Sequence, residues 1–210
     1  MTRFGEVGPP YWEGHDAYVV GGGPSLRGRD VARLYERGVV VGVNRAAEFT
    51  RCDATVTVDL KFLRNRREEL ARWARRHEVY AGVPEDYGEA PIPRVTYVLR
   101  VTGAGMSRDP DRVVNGLNSG YVALNVAALK RPARVFLLGF DMTPCYARDM
   151  HFHDGYDWDN GASIKYYGRW ADKFVAAAKD LEEMGVEVYN ANPRSAVVAF
   201  PFVTYEELGL

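Results

Sequence analysis

Short apolar runs alternate with longer stretches of mixed polarity along the 210 residues of this chain. The runs at 18–20, 39–43 and 134–141 are apolar on both faces, the pattern of strands buried in a parallel sheet. Residues 54–59 alternate before ending on an aspartate, and 95–101 and 186–189 read as two further strands. A polar helical pattern covers 29–37, and a charge-rich helix covers 61–77, with Leu63, Leu70, Trp73 and Ala74 as its apolar stripe. The segment 121–129 is apolar nearly all round, so it reads as a buried helix capped by Asn118 or Ser119. Residues 164–184 carry Ile164, Tyr167, Trp170, Phe174, Ala178 and Leu181 on one stripe, and Gly185 ends that helix. Residues 1–16 read as a loose arm, 82–94 as a loop, 102–116 as a mobile glycine-rich segment, 192–195 as a turn and 205–207 as a short helix.

Strands alternating with helices predict an α/β fold with a doubly wound, mostly parallel sheet. This is a Rossmann-like arrangement, here expected as a glycosyltransferase-A-like variant and as a single domain over 1–210. The strand carboxyl ends carry Gly21, Gly22 and Gly23, then Asn44, Asp59 and Asp141, which places a ligand crevice there. The polar-aromatic segment 142–161 is expected to act as a mobile, loop-rich lid and acceptor segment over those ends.

The stretch Gly21-Gly22-Gly23-Pro24-Ser25-Leu26 organises this expectation. Glycine accepts positive φ and has no Cβ, so a ligand approaches the backbone closely. Pro24 suits the first turn of a following helix, whose free N–H groups favour an anion, most simply a phosphate. The stretch is neither G-x-G-x-x-G nor a nucleotide-triphosphate loop.

Composition narrows the picture. A net charge of −1 argues against a chain that binds polyanions over its whole surface, although 61–77 holds seven Lys/Arg against two Glu. That local excess has a bland reading as a solvated face, and a sharper one as a surface for a polyanionic acceptor such as DNA. Two cysteines, Cys52 and Cys145, make no disulfide framework, and a reducing cytoplasm is the expected compartment. There is no apolar signal segment at the start, and no apolar run approaches the ~20 residues of a membrane span.

The chemistry-bearing residues cluster late. His151 and His153 flank Phe152, so an extended backbone points both imidazoles the same way. Either one serves as a general base near neutrality, or both join Asp154 or Asp157 as metal ligands. The triplet Asp157-Trp158-Asp159 matches the Asp-x-Asp pattern of metal-dependent glycosyltransferases, which makes Asp157 and Asp159 weak metal candidates.

Five motifs occur in the order Gly-Gly-Gly-Pro-Ser-Leu, Val-Asn-Arg, Asn-Ser-Gly, Leu-Leu-Gly-Phe-Asp and Asn-Pro-Arg-Ser. Over about 17–59, 115–141 and 186–208 the chain thereby resembles bacterial lipooligosaccharide sialyltransferases. It also resembles a related group that includes archaeal hydroxymethylpterin pyrophosphokinases and bacteriophage proteins. The resemblance implies a nucleotide-sugar donor pocket of Gly21, Gly22, Gly23, Ser25, Asn44, Ser119, Gly120 and Ser195, with Asp59, Asn118 and Asp141 beside it. It implies His153 or His151 as the base, and Tyr146 steadying the leaving phosphate. The chain departs from that family at Gly22, where the family has asparagine, and at Thr143, where it has tyrosine. The implied activity is glycosyl transfer to a hydroxyl acceptor, either a surface glycan or a hydroxymethylated DNA base. The alternatives are a pyrophosphokinase using ATP and Mg²⁺ held by Asp59 and Asp141, and a non-catalytic nucleotide-binding module. No cofactor beyond the nucleotide sugar is implied with certainty; a divalent metal and a homo-oligomer stay open.

Overall fold

The computed structural model describes residues 12–143, 151–153 and 166–210. One eight-stranded sheet, parallel throughout, forms its centre. The strands are β1 (Asp16–Val20), β2 (Val39–Val43), β3 (Ala54–Thr57), β4 (Glu78–Val83), β5 (Thr96–Val101), β6 (Arg112–Val114), β7 (Arg134–Leu138) and β8 (Glu187–Asn190). Their spatial order is β6-β5-β4-β3-β2-β1-β7-β8. The chain therefore builds outward from β1 to one edge, then returns to lay β7 against the other side of β1. That reversal is a topological switch point, where open α/β sheets bind ligands.

Among the described residues four α-helices accompany the sheet: α1 (Leu60–Asn65), α2 (Arg67–Trp73), α3 (Ser119–Leu129) and α4 (Tyr167–Glu183). Because side chains alternate across a strand, β1 sends Ala17 and Val19 to one face and Tyr18 and Val20 to the other. The first face packs under α3 and α4, with Tyr121, Leu124, Phe174 and Leu181 in one core. The second face is covered by short 3-10 turns at Pro24–Leu26, Val31–Glu36 and Asn44–Glu48, and, beyond them, by α1 and α2. No helix among the described residues is long and apolar enough to cross a membrane.

Several expectations need correction. β4 fills the gap after the expected helix 61–77 and runs into the expected loop 82–94, and β6 lies inside the expected mobile segment 102–116. That segment is anchored from beneath. The buried Asn125 carboxamide accepts from the Ser107 and Val114 amides and donates to the Ser107 carbonyl; Tyr121 Oη donates to the Gly105 carbonyl; Asp180 accepts from the Met106 amide. The expected helix over 61–77 is broken at Arg66 into α1 and α2, and its cations are largely engaged. Arg64 pairs with Glu89, Arg66 and Arg72 with Glu69, and Arg67 donates to the Ala90 carbonyl, which weakens the case for a free basic face. The pattern at 29–37 is a 3-10 turn, and 205–207 belongs to turns instead of a helix.

At the amino ends of the strands, Lys130 is buried at the carboxyl end of α3 and pairs with Glu78 at 3.1 Å. A cation there complements the helix dipole.

Candidate functional site

The crevice opens where β1 and β7 end side by side. The glycine stretch leaves β1 and is stitched to the end of β7: the Gly21 amide donates to the Leu138 carbonyl at 2.7 Å, and the Gly23 amide to the Gly139 carbonyl at 2.9 Å. A Cβ on Gly21 would lie 2.8 Å from the Gly139 oxygen; one on Gly23 would lie 1.8 Å from Asp141 Oδ2 and 2.4 Å from the Gly139 oxygen. None of the three glycines has positive φ. They are glycines because another backbone passes too close for a side chain, which corrects the φ-based reason for expecting them.

The place expected for a phosphate holds a carboxylate of the protein itself. Asp141 is 3% exposed; its Oδ2 accepts the Ser25 amide at 3.2 Å, and its Oδ1 accepts Asn192 Nδ2. Burial pushes the Asp141 carboxyl above its ordinary range, opposed by the bonds from Ser25 and Asn192. Ser25 Oγ shares a 2.8 Å hydrogen bond with the Tyr205 hydroxyl, which also accepts the Gly139 amide. Burial pushes that phenol up to about 12. Ser195 Oγ donates to the Phe140 carbonyl and accepts the Val197 amide at 2.9 Å. Neither Ser25 nor Ser195 lines the crevice; both hold its back wall together. The Pro24–Leu26 turn is only three residues long, too short to present a helix N-terminus.

The opposite wall is different. It continues from the glycine stretch past Val43 to Asn44, Asp59, Arg100, Asn115 and the start of α3. The Asn44 Oδ1 and Arg100 Nε atoms are buried there without hydrogen-bond partners among the described residues. Arg100 reaches across with Nη1, which donates to the Val58 carbonyl at 3.2 Å. Burial lowers the Arg100 pKa, while the Asp59 carboxylate pulls it back up. Asn118 caps α3: its Oδ1 accepts the Tyr121 amide and its Nδ2 donates to the Gly116 carbonyl. Ser119 Oγ accepts the Val58 amide at 3.1 Å, tying β3 to α3. The Ser119 and Gly120 amides, the first of an eleven-residue helix, have no partner among the described residues. Asp59 Oδ1 caps α1, accepting the Lys61 and Phe62 amides.

Backbone strain gathers on the same crevice. Five described non-glycine residues have positive φ, and three of them line it: Asn44 (51°), Leu117 (67°) and Met142 (45°). Each costs about 1–3 kcal/mol, and such residues concentrate at functional sites.

His151 faces this space and His153 stands behind it. The segment is pinned to the glycine stretch, with the Phe152 amide donating to the Gly22 carbonyl at 3.0 Å and Arg27 Nη2 donating to the His151 carbonyl at 2.9 Å. The two imidazoles stack at 4.8 Å and 6°, as their i, i+2 spacing predicts, and His153 stacks in turn on Phe49 at 5.5 Å and 7°. Burial lowers the His151 pKa; its bond with the Gly22 backbone pulls it part of the way back, and Arg45 adds a smaller downward push. His151 is therefore neutral at pH 7, the state a general base needs. Parallel rings put their nitrogen lone pairs in separate planes, so the pair does not converge on one metal ion. No group of three or more metal-ligating side chains occurs among the described residues.

The structure thus gathers Gly22, Asn44, Asp59, Asn118, Ser119, Gly120 and His151 along one crevice, with Gly21, Gly23 and Asp141 at its glycine end. Asp59 and Asp141 line different parts of it. Tyr146, Asp157 and Asp159 lie outside the described residues, as does most of the expected lid. Arg100, Tyr167 and Trp170 are among the lining residues that the sequence reading does not pick out. Arg100 betrays itself as a lone cation in the otherwise apolar end of β5. Tyr167 and Trp170 were assigned to the core stripe of the late helix, but they form the aromatic wall of the crevice, 5.4 Å apart. Their position in the first turn of α4, facing the carboxyl end of β7, is the signal that distinguishes them from Phe174 and Leu181. The chain matches no family model, no curated protein and no solved structure.

Proposed function

We propose that this protein is a glycosyltransferase that moves a sugar from a nucleotide-sugar donor to a hydroxyl acceptor by single displacement. The observation that carries this reading is a neutral, half-buried imidazole, His151, sharing a crevice with the Ser119 and Gly120 amides of α3 and the cation of Arg100. His151 takes the proton from the acceptor hydroxyl, whose oxygen bonds to the anomeric carbon. The bond from that carbon to the donor phosphate breaks, and its electrons leave on the phosphate oxygen. The Ser119 and Gly120 amides and Arg100 oppose that developing charge. The Asn44 Oδ1 atom accepts from a donor hydroxyl, and Tyr167 and Trp170 offer flat faces to a ring. The acceptor is a surface glycan or a hydroxymethylated DNA base; the ion pairs along α1 and α2 favour the glycan.

Calorimetric titration with a panel of nucleotides and nucleotide sugars, followed by nucleotide-release assays, tests the proposal. Binding with turnover, lost by ~10²–10⁴-fold in His151→Ala, is the expected result. No binding up to millimolar concentration overturns it, and binding without turnover identifies a non-catalytic nucleotide-binding module.

A further inference from the structure

On the α3 wall of the crevice, Arg100 is fixed at one corner of its guanidinium: Nη1 donates to the Val58 carbonyl at 3.2 Å. Nε and Nη2, which share an edge of the planar group, have no hydrogen-bond partner among the described residues, and Nε is buried. Two N–H groups on one edge form a fork that holds a phosphate at two points. We propose that this edge takes a second phosphate, so that the donor is a nucleoside diphosphate sugar and the leaving group a nucleoside diphosphate. This rests on the glycosyl-transfer reading and deepens it by naming the donor class.

The placement of the donor groups argues for two phosphates in line. Gly120 and His151 border both the glycine end and the α3 end of the crevice, whereas Ser119 and Arg100 border the α3 end alone. A donor whose anomeric carbon lies at His151 therefore meets the first amides of α3 before it meets Arg100. Both donor sets are braced against one residue, as neighbouring phosphates require: the Val58 amide donates to Ser119 Oγ at 3.1 Å, and the Val58 carbonyl accepts Arg100 Nη1. Burial lowers the Arg100 pKa and Asp59 raises it, so the guanidinium stays charged near neutrality. Asp59 is the acid on this wall, and the Lys61 and Phe62 amides on its Oδ1 oppose part of its charge. A nucleoside monophosphate sugar would set its one phosphate beside the reacting carbon and leave the Arg100 fork empty, at the cost of an unpaired buried donor. In the transfer, the acceptor oxygen bonds to the anomeric carbon and the acceptor proton goes to His151. The bond from that carbon to the β-phosphate oxygen breaks, and its electron pair leaves on the diphosphate.

Calorimetric titration with matched nucleoside mono- and diphosphates of each base tests this, at ~0.15 M salt so that exposed charges are screened. For the base that binds, the diphosphate is expected to bind roughly tenfold more tightly than the monophosphate. In Arg100→Met that preference should shrink to about twofold or less, through lost diphosphate affinity with monophosphate affinity little changed. Arg100→Lys, which keeps the charge without the fork, should recover only part of the preference. Equal affinity for the two nucleotides in the wild type overturns the proposal, a comparison that needs no variant to fold. A diphosphate preference that survives intact in Arg100→Met overturns it as well.

Identifying the nucleotide released on turnover separates the two readings. Sugar transfer that releases a nucleoside diphosphate supports both. Transfer that releases a nucleoside monophosphate keeps the glycosyltransferase and overturns the second phosphate alone. No binding by any nucleotide or nucleotide sugar up to millimolar concentration removes both.

Discussion

The two walls of the crevice solve opposite problems. On the glycine side most prominent polar groups are already used: the Gly21 amide on the last β7 carbonyl, the Gly23 amide on the Gly139 carbonyl, the Ser25 amide on Asp141, and Asp141 on Asn192. On the α3 side the groups are left over: two helix amides, Asn44 Oδ1 and Arg100 Nε. The first wall is a joint and the second is a receptor. Glycine density marks where two backbones must pass closely; unpaired buried polarity marks where a partner is missing.

The largest effect that would break this contrast is on the joint. Gly23→Ala puts a methyl group 1.8 Å from Asp141 Oδ2 and 2.4 Å from a carbonyl oxygen, so the seam between β1 and β7 must part. We expect a loss of about 3 kcal/mol or more in denaturant unfolding, at the severe end for point substitutions. Gly22→Ala sharpens the comparison: its methyl group meets side chains and no backbone, the His151 ring at 3.0 Å and His153 Nε2 at 3.7 Å, so stability should fall little while the base is displaced. An unfolding midpoint for Gly23→Ala equal to wild type would show that the stitching is incidental.

The next effect is on the receptor wall. Arg100→Met keeps the aliphatic stem and removes the charge, and we expect nucleotide affinity to fall by about tenfold, equivalent to ~1.4 kcal/mol. Stability should hold or rise, because a buried donor without a partner is costly. Unchanged affinity would remove Arg100 from the binding wall. Asn44→Gly acts less strongly and in two directions. Relief of φ 51° should stabilise the fold by about 0.5–1 kcal/mol, while loss of Oδ1 weakens donor binding. Improved stability with unchanged binding would make Asn44 a turn residue only.

The smallest effect is the pH dependence of stability from His151. Its folded pKa lies below the ordinary value of 6.5, so the unfolded chain binds the proton first as pH falls. Its contribution is flat above pH 6.5 and turns destabilising from there down to the folded pKa. Urea unfolding of wild type and His151→Phe across that window should diverge only on the acid side; divergence on the alkaline side would contradict the burial-lowered pKa.

The α/β class and six of the eight strands were legible in the sequence because buried parallel strands are apolar on both faces. β4 was not, because Glu78–Val83 follows the end of α2 with no glycine or proline between, and Gly82 within it mimics a loop. β6, at three residues, is too short to carry a period. At the site, the strand-end positions of Asn44, Asp59 and Asp141 were readable, but the meaning of Asp141 was not. Whether a carboxylate faces a ligand or caps a neighbouring turn depends on Ser25 and Asn192, which lie 116 and 51 residues away. The histidine stack was half visible: the spacing gives parallel rings, while Phe49, from a different loop, decides which one is enclosed.

The strand order also sets a schedule for synthesis. β1 emerges first, and its partner β7, clamped to it by the Asp16–Arg134 ion pair, follows 118 residues later. At ribosomal speeds of roughly 5–20 residues per second, one edge of the central strand waits several seconds for its neighbour. Throughout that interval the nascent sheet presents an open, apolar β1 edge, the kind of template on which strands of other chains pair. Non-local closure of this sort slows folding and exposes the chain to aggregation. The seam that creates the crevice thus closes late on the ribosome, before β8 alone is added to the sheet, and chaperone demand during expression should concentrate on chains paused between β6 and β7.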